Sequence, residues 1–179
     1  MANVTWNLDP THSEIQFKVK HLMITNVTGS FQDFSVYAES ADEKFTAPQV
    51  SFSAKIASIN TGNEQRDGHL KSADFFDAET YPELRFVSKE ATNYDADGNF
   101  DLTGDLTIRD ITKEVTVKVE FGGVAKDPWG NVKAGFTIAT KINRADFGLT
   151  WNAPIETGGV LVSEEVRISG ELQLVKAAV

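Results

Sequence analysis

Strict alternation of apolar and polar residues, repeated along most of the chain, constrains the fold more than any other feature. Leu102, Gly104, Leu106 and Ile108 alternate with Asp101, Thr103, Asp105, Thr107 and Arg109. Val115, Val117, Val119 and Phe121 alternate with Glu114, Thr116, Lys118 and Glu120. Val166, Ile168, Gly170, Leu172 and Leu174 alternate with Glu165, Arg167, Ser169, Glu171 and Gln173. Successive side chains of a strand point to opposite faces, so each run sets an apolar face inward and a polar face toward water. Shorter runs built on Ile15, Phe17 and Val19, on Val50, Phe52, Ala54 and Ile56, on Leu84 and Phe86, and on Ala134, Phe136, Ile138 and Ile142 behave alike.

Turn chemistry separates the runs. Asp95-Ala96-Asp97-Gly98-Asn99 and Asp127-Pro128-Trp129-Gly130 carry the residues that tight turns require, and Arg109-Asp110-Ile111-Thr112-Lys113 is a shorter connection. The count comes to about eight antiparallel strands in an all-β fold, a number that closes naturally into a barrel. A two-sheet sandwich has the same alternation, so periodicity alone does not choose between them. One stretch breaks the pattern. Thr61 and Glu64 have capping-box spacing, and Leu70, Ala73 and Phe76 fall three apart, which predicts a short helical insert around 62–76. No linker or repeat divides the 179 residues, and 41% of them are hydrophobic, so a single domain over 1–179 is expected.

The formal net charge of −9 argues against nucleic acid and anionic membrane surfaces as partners. There is no cysteine, which excludes disulfides and thiolate chemistry. No apolar run is long enough for a membrane span. The first residues have no basic leader and no apolar core of a signal peptide, so a cytoplasmic location is expected, or a periplasmic one where a leader has been removed. The Asn-x-Thr sites at Asn3 and Asn26 have no secretory context.

Catalytic and cofactor motifs are missing: there is no Gly-x-Ser-x-Gly, no phosphate loop and no dinucleotide fingerprint. His12, His21 and His69 lack metal-ligand spacing, so no metal and no cofactor are expected. What the chain does have is phenylalanine, 12 in all. Phe17, Phe52, Phe86 and Phe136 share the inward phase, and Phe31, Phe34, Phe75, Phe76 and Phe147 lie near turns. These rings either fill a core or line a cavity. The inward small residues Ala54, Gly104, Ala134 and Gly170 fit internal space or bends of the strands. Two polar clusters, Arg66-Asp67-x-His69-Leu70 and Arg144-Ala145-Asp146-Phe147, join an arginine to an aspartate near an aromatic. Each is either an Arg–Asp staple holding the insert to the barrel or a polar rim for a ligand headgroup.

Asp9-Pro10-Thr11-His12-Ser13 leading to Phe17 and His21, then Gly29-x-Phe31, resembles the start of the YceI-like family. Ile59-Asn60-Thr61-Gly62, Arg66-Asp67-Gly68-His69-Leu70 and Asp74-Phe75-Phe76-Asp77 are similar to its central signature. Tyr81-Pro82, Gly104-Asp105-Leu106-Thr107-Ile108, Ile142-Asn143-Arg144 and Asp146-Phe147-Gly148 extend the resemblance over nearly the whole chain. The resemblance implies an extended, lipocalin-like antiparallel barrel with a helical insert. It also implies a long isoprenoid lipid, such as an isoprenoid quinone, threaded inside for storage, transport or stress protection, and a homodimer. It implies no enzymatic activity. The expected ligand contacts are Phe17, Phe31, Phe34, Phe52, Phe86 and Phe136 for the tail, with Arg66, Asp67, His69, Leu70, Phe75 and Phe76 from the central signature and Arg144, Asp146 and Phe147 from the later one. Two other functions stay open on the residues alone: an enzyme using His69 with Asp67 or Asp74, and an interaction module with a filled core.

Overall fold

The computed structural model describes residues 3–152 and 161–177. Its alternating segments form one antiparallel sheet. β1 (Val4–Leu8) and β2 (Glu14–His21) lie end to end, as do β3 (Thr25–Phe31) and β4 (Phe34–Ser40), and β5 (Gln49–Lys55) and β6 (Ile59–Asn60). A turn of 3₁₀ helix breaks the first pair at Pro10–His12 and the third at Ile56–Ser58, while Gln32 and Asp33 break the second. Each pair nevertheless acts as one long kinked strand. β1 pairs with β4 while β2 pairs with β3, and β4 pairs with β5 while β3 pairs with β6.

The short helix α1 (Glu64–Lys71) follows, and then five long strands: β7 (Glu83–Thr92), β8 (Phe100–Ile108), β9 (Ile111–Lys126), β10 (Val132–Asn143) and β11 (Glu165–Lys176). β7 pairs with β5, each later strand pairs with the one before it, and β11 closes the wall on both halves of the first kinked strand, with Lys176 opposite Trp6 and Gly170 opposite Ile15. With each kinked pair counted as one, this is a closed, eight-stranded, up-and-down antiparallel barrel. The choice between barrel and sandwich, open on periodicity, is settled by the β1–β11 pairing.

Inward phases match the alternation. In β8, Phe100, Leu102, Gly104, Leu106 and Ile108 are all buried. Burying such a leucine or phenylalanine stabilises the fold by roughly 2 kcal/mol each, the main return for ordering so many strands. The small inward residues do not make space. A Cβ on Gly104 would lie 2.4 Å from the Val87 carbonyl oxygen and 2.7 Å from the Phe86 ring, and Ala54 and Ala134 are fully buried. They permit close approach of strands, so the reading of these positions as internal space is corrected.

The helical insert is shorter than the expected 62–76. The α-helix ends at Lys71, because Ser72 turns extended and the chain continues in tight turns. Its N-cap is Asn63, whose side chain accepts from the Arg66 N–H at 3.0 Å. The Thr61–Glu64 capping box is therefore not formed. Thr61 instead donates its N–H to Asp67 at 2.9 Å. Ala73, grouped with Leu70 and Phe76 by spacing, is exposed, and Phe75 is the buried residue.

The β2–β3 hairpin, α1, the β8–β9 turn and the described parts of the β10–β11 connection all fall at one end of the barrel. The opposite end is stoppered by aromatic rings. Phe45, from the β4–β5 loop, enters with φ of 60° and is 2% exposed. Its ring lies 4.6 Å from Phe136, 4.7 Å from Trp6 and 5.9 Å from Phe121. Tyr94 donates its hydroxyl to the Phe45 carbonyl at 2.8 Å, and the Trp6 indole N–H donates to Ser40 Oγ at 3.1 Å. The polar groups of Tyr94, Trp6 and Ser40 are thus hydrogen-bonded where they meet the stopper.

Candidate functional site

Between the stopper and the α1 end the barrel holds a cavity of about 630 Å³. Its wall is built by cross-strand neighbours. Val36, Phe52, Phe86 and Leu106 follow one another across β4, β5, β7 and β8. Val119 and Ile138 face each other on β9 and β10, and Ile168 faces Phe17 on β11 and β2. The interior is therefore a tube of valine, leucine, isoleucine and phenylalanine along the barrel axis.

Polar groups gather at the α1 end, where the exposed residues Lys20, Asn63, Gln65 and Arg66 meet the cavity and mark its opening. Among the described residues that line the cavity there are cations, amides and hydroxyls, and no aspartate or glutamate. That is a marked local bias in a chain with a net charge of −9.

Arg144 is the deepest of these cations, 4% exposed, at the start of the 3₁₀ turn Arg144–Phe147. Among the described residues no carboxylate is within salt-bridge distance of it, and its donors go to backbone carbonyls. Nε donates to the Ser163 carbonyl at 2.8 Å, Nη1 to those of Leu149 at 2.6 Å and Trp151 at 2.8 Å, and Nη2 to that of Val162 at 3.2 Å. The guanidinium also lies 5.9 Å from the Phe75 ring centroid. Burial pulls its pKa below the usual arginine value, opposed by Glu164. The side chain ties the chain on both sides of the β10–β11 connection into one lip of the mouth.

The other lip is α1. Arg66 donates Nε to Thr61 Oγ1 at 2.8 Å and Nη2 to the Thr61 carbonyl at 2.7 Å, while Thr61 donates to Asp67. Arg66 and Asp67 thus act through Thr61 and fasten the helix to the end of β6. His69 Nε2 lies 2.9 Å from Asp74 Oδ2, and its ring packs edge-on to Phe75 at 5.1 Å and Trp151 at 4.7 Å.

The expected contact residues divide in three. Phe17, Phe31, Phe52 and Phe86 lie on the wall; Arg66, His69, Leu70, Phe75, Phe76 and Arg144 lie at or near the mouth. Five lie elsewhere. Phe136 belongs to the stopper, and Phe34 sits at the β3–β4 kink with its ring 5.9 Å from Phe52. Asp67 is engaged by Thr61, Phe147 is packed at 1% exposure, and Asp146 is off the wall without bonding Arg144. The second cluster is therefore no Arg–Asp pair. Unforeseen wall residues include Val115, Val117, Leu149 and Trp151. The inward phase marked the two valines; Leu149 and Trp151 come from an irregular connection with no periodic signal. Among the described residues no group of three or more His, Cys, Asp or Glu could hold a metal ion, and no helix is long and apolar enough to cross a membrane.

An eight-stranded up-and-down barrel around an apolar tube that opens among polar residues is a lipocalin-like barrel. Within that class the chain belongs to the YceI-like domain family, whose model matches residues 6–174. It is 38% identical over 174 residues to a UPF0312 protein of Staphylococcus aureus, covering 97% of each chain. Among solved structures it is similar to BcnA of Burkholderia cenocepacia, with a TM-score of 0.77, 26% identity and coverage of 93% of this chain and 98% of that one. A YceI protein of Campylobacter jejuni gives a TM-score of 0.75 with 36% identity, over 96% and 97% of the two chains. A polyisoprenoid binding domain from Saccharophagus degradans shares the fold, with a TM-score of 0.72 and 16% identity over 96% and 98%.

Proposed function

We propose that this protein binds one long-chain polyisoprenoid lipid, of the isoprenoid-quinone kind, as a carrier rather than a catalyst. The observation that carries this reading is the shape and chemistry of the cavity: a stoppered apolar tube of about 630 Å³ with hydrogen-bond donors at its open end. A branched apolar chain fits a tube better than a round pocket, and each buried methylene contributes roughly 0.8 kcal/mol. Part of that gain offsets the ordering of the tail. Lys20, Arg66 and Arg144 favour a headgroup rich in acceptor oxygens at the mouth. The structural likeness to a domain described as polyisoprenoid binding supports the same ligand class.

Native mass spectrometry of the purified protein, followed by organic extraction, tests this. The expected result is one isoprenoid lipid per chain. A clean apo mass that stays unchanged after incubation with isoprenoid quinones overturns the reading.

A further inference from the structure

β2 and β3 meet in a hairpin whose tip stands at the mouth end of the barrel. Ile24 N–H donates to the His21 carbonyl at 3.1 Å, and Leu22 and Met23 occupy the two central positions with φ of 54° and 62°. This turn geometry ordinarily selects glycine, asparagine or aspartate. Here it presents three large apolar residues in a row. Met23 is 52% exposed and Ile24 75%. None of the three lines the cavity, so a ligand inside does not account for them.

Charge on the same hairpin runs opposite to the rest of the chain. Between Glu14 and Asp33 there is no acidic residue, while β2 carries Lys18 and Lys20. The net charge of −9, which argues against anionic surfaces for the chain as a whole, averages over this local exception.

We propose that the β2–β3 hairpin docks the barrel mouth onto an anionic lipid bilayer, with Met23 and Ile24 entering the acyl boundary and Lys18 and Lys20 meeting lipid phosphates. Apolar side chains beside basic ones are the combination that holds proteins at a bilayer interface. A second copy of the chain fits the tip poorly: a stable dimer covers roughly 800 Å² per partner, far more than three side chains at a hairpin apex supply. Acidic residues stand at the mouth end too, Glu64 and Asp67 on α1, Asp110 in the β8–β9 turn and Asp146 in the 3₁₀ turn, so the basic and apolar hairpin is the part of that end suited to an anionic bilayer. The tip adjoins Lys20 and His21, which line the opening, so a docked tip sets the opening against the lipid. The use of docking for cargo exchange rests on the carrier reading; the docking itself does not.

Flotation with phosphatidylcholine vesicles, with and without phosphatidylglycerol, tests the proposal. The wild type is expected to float with the phosphatidylglycerol vesicles, less at high salt, and the double variant Met23→Ser/Ile24→Ser to bind at least about ten-fold more weakly. Lys18→Ala is expected to reduce the salt dependence. Circular dichroism and native mass spectrometry check that the double variant keeps its fold and its cargo. A wild type that floats with neither vesicle, or a double variant that floats equally well, overturns docking, as does a double variant whose only change is loss of self-association. A wild type that floats but never carries lipid upholds docking and overturns the carrier reading.

Discussion

Lys133 Nζ lies 2.6 Å from Asp9 Oδ2, and this contact fastens the kink between β1 and β2 to the start of β10. Asp9 also accepts from Thr11 and meets His12 Nδ1 at 2.9 Å. The Lys133 hydrogen bond, more than those of Thr11 and His12, holds the Asp9 carboxyl far below the usual carboxylate range, against the opposing effect of burial. Its folded pKa is thus below its unfolded value of about 3.9. The stability it contributes is complete above the unfolded value and is lost as pH falls from there through the folded one. Asp9→Asn is expected to cost about 2 kcal/mol at neutral pH, with the gap to wild type narrowing below about pH 4. Urea unfolding across pH checks both; a gap independent of pH contradicts the linkage.

Arg144 gives the second prediction. Arg144→Met takes the guanidinium donors from the carbonyls of Leu149, Trp151 and Ser163, while that of Val162 keeps Asn152 Nδ2 at 2.7 Å, so a loss of at least about 3 kcal/mol is expected. Arg144→Lys is expected to recover only part of it, because an ammonium cannot spread its donors over four acceptors as a planar fork does. Chemical denaturation of the three proteins decides this; equal stability of the Lys variant and wild type counts against the four-carbonyl lip.

Space inside the barrel is the third test. Val117 lines the cavity on β9. Val117→Trp is expected to shorten the lipid tail the protein retains, or to empty it, while leaving the fold intact, since the added ring enters open volume rather than packed core. Mass spectrometry of extracted lipid reads the tail length directly, and an unchanged tail rules out that part of the tube as the tail site.

The stopper is the fourth. Phe45→Ala removes a ring that touches Trp6, Phe121 and Phe136. The expected cost is about 3–5 kcal/mol in unfolding free energy. Where the variant stays folded, longer tails are expected to be retained than by wild type. A cost below about 1 kcal/mol by urea titration contradicts the packing described.

The alternation made the barrel wall legible because inward and outward faces differ in chemistry at every second residue. It did not reveal depth. Phe136 and Phe86 share the same inward phase, yet one stoppers the barrel and the other lines the cavity, since position along the axis depends on register. Phe45 escaped notice because a loop residue with positive φ belongs to no run. Arg144 and Asp146 looked like a pair because arginine and aspartate two residues apart suggest one; the 3₁₀ turn instead buries the arginine among carbonyls. The kinks that turn six short strands into three long ones lie in Pro10–His12, Gln32-Asp33 and Ile56–Ser58, where the pattern merely lapses.

The aromatic stopper has a consequence for traffic. A tube closed at one end, in a sheet that closes through the β1–β11 pairing, would admit a chain-like occupant tail first and release it head first. Two such occupants cannot pass each other. If the protein carries lipid as proposed, the outgoing molecule would have to clear the tube before the next entered, so exchange would be single-file and paced by departure, however much incoming lipid were waiting.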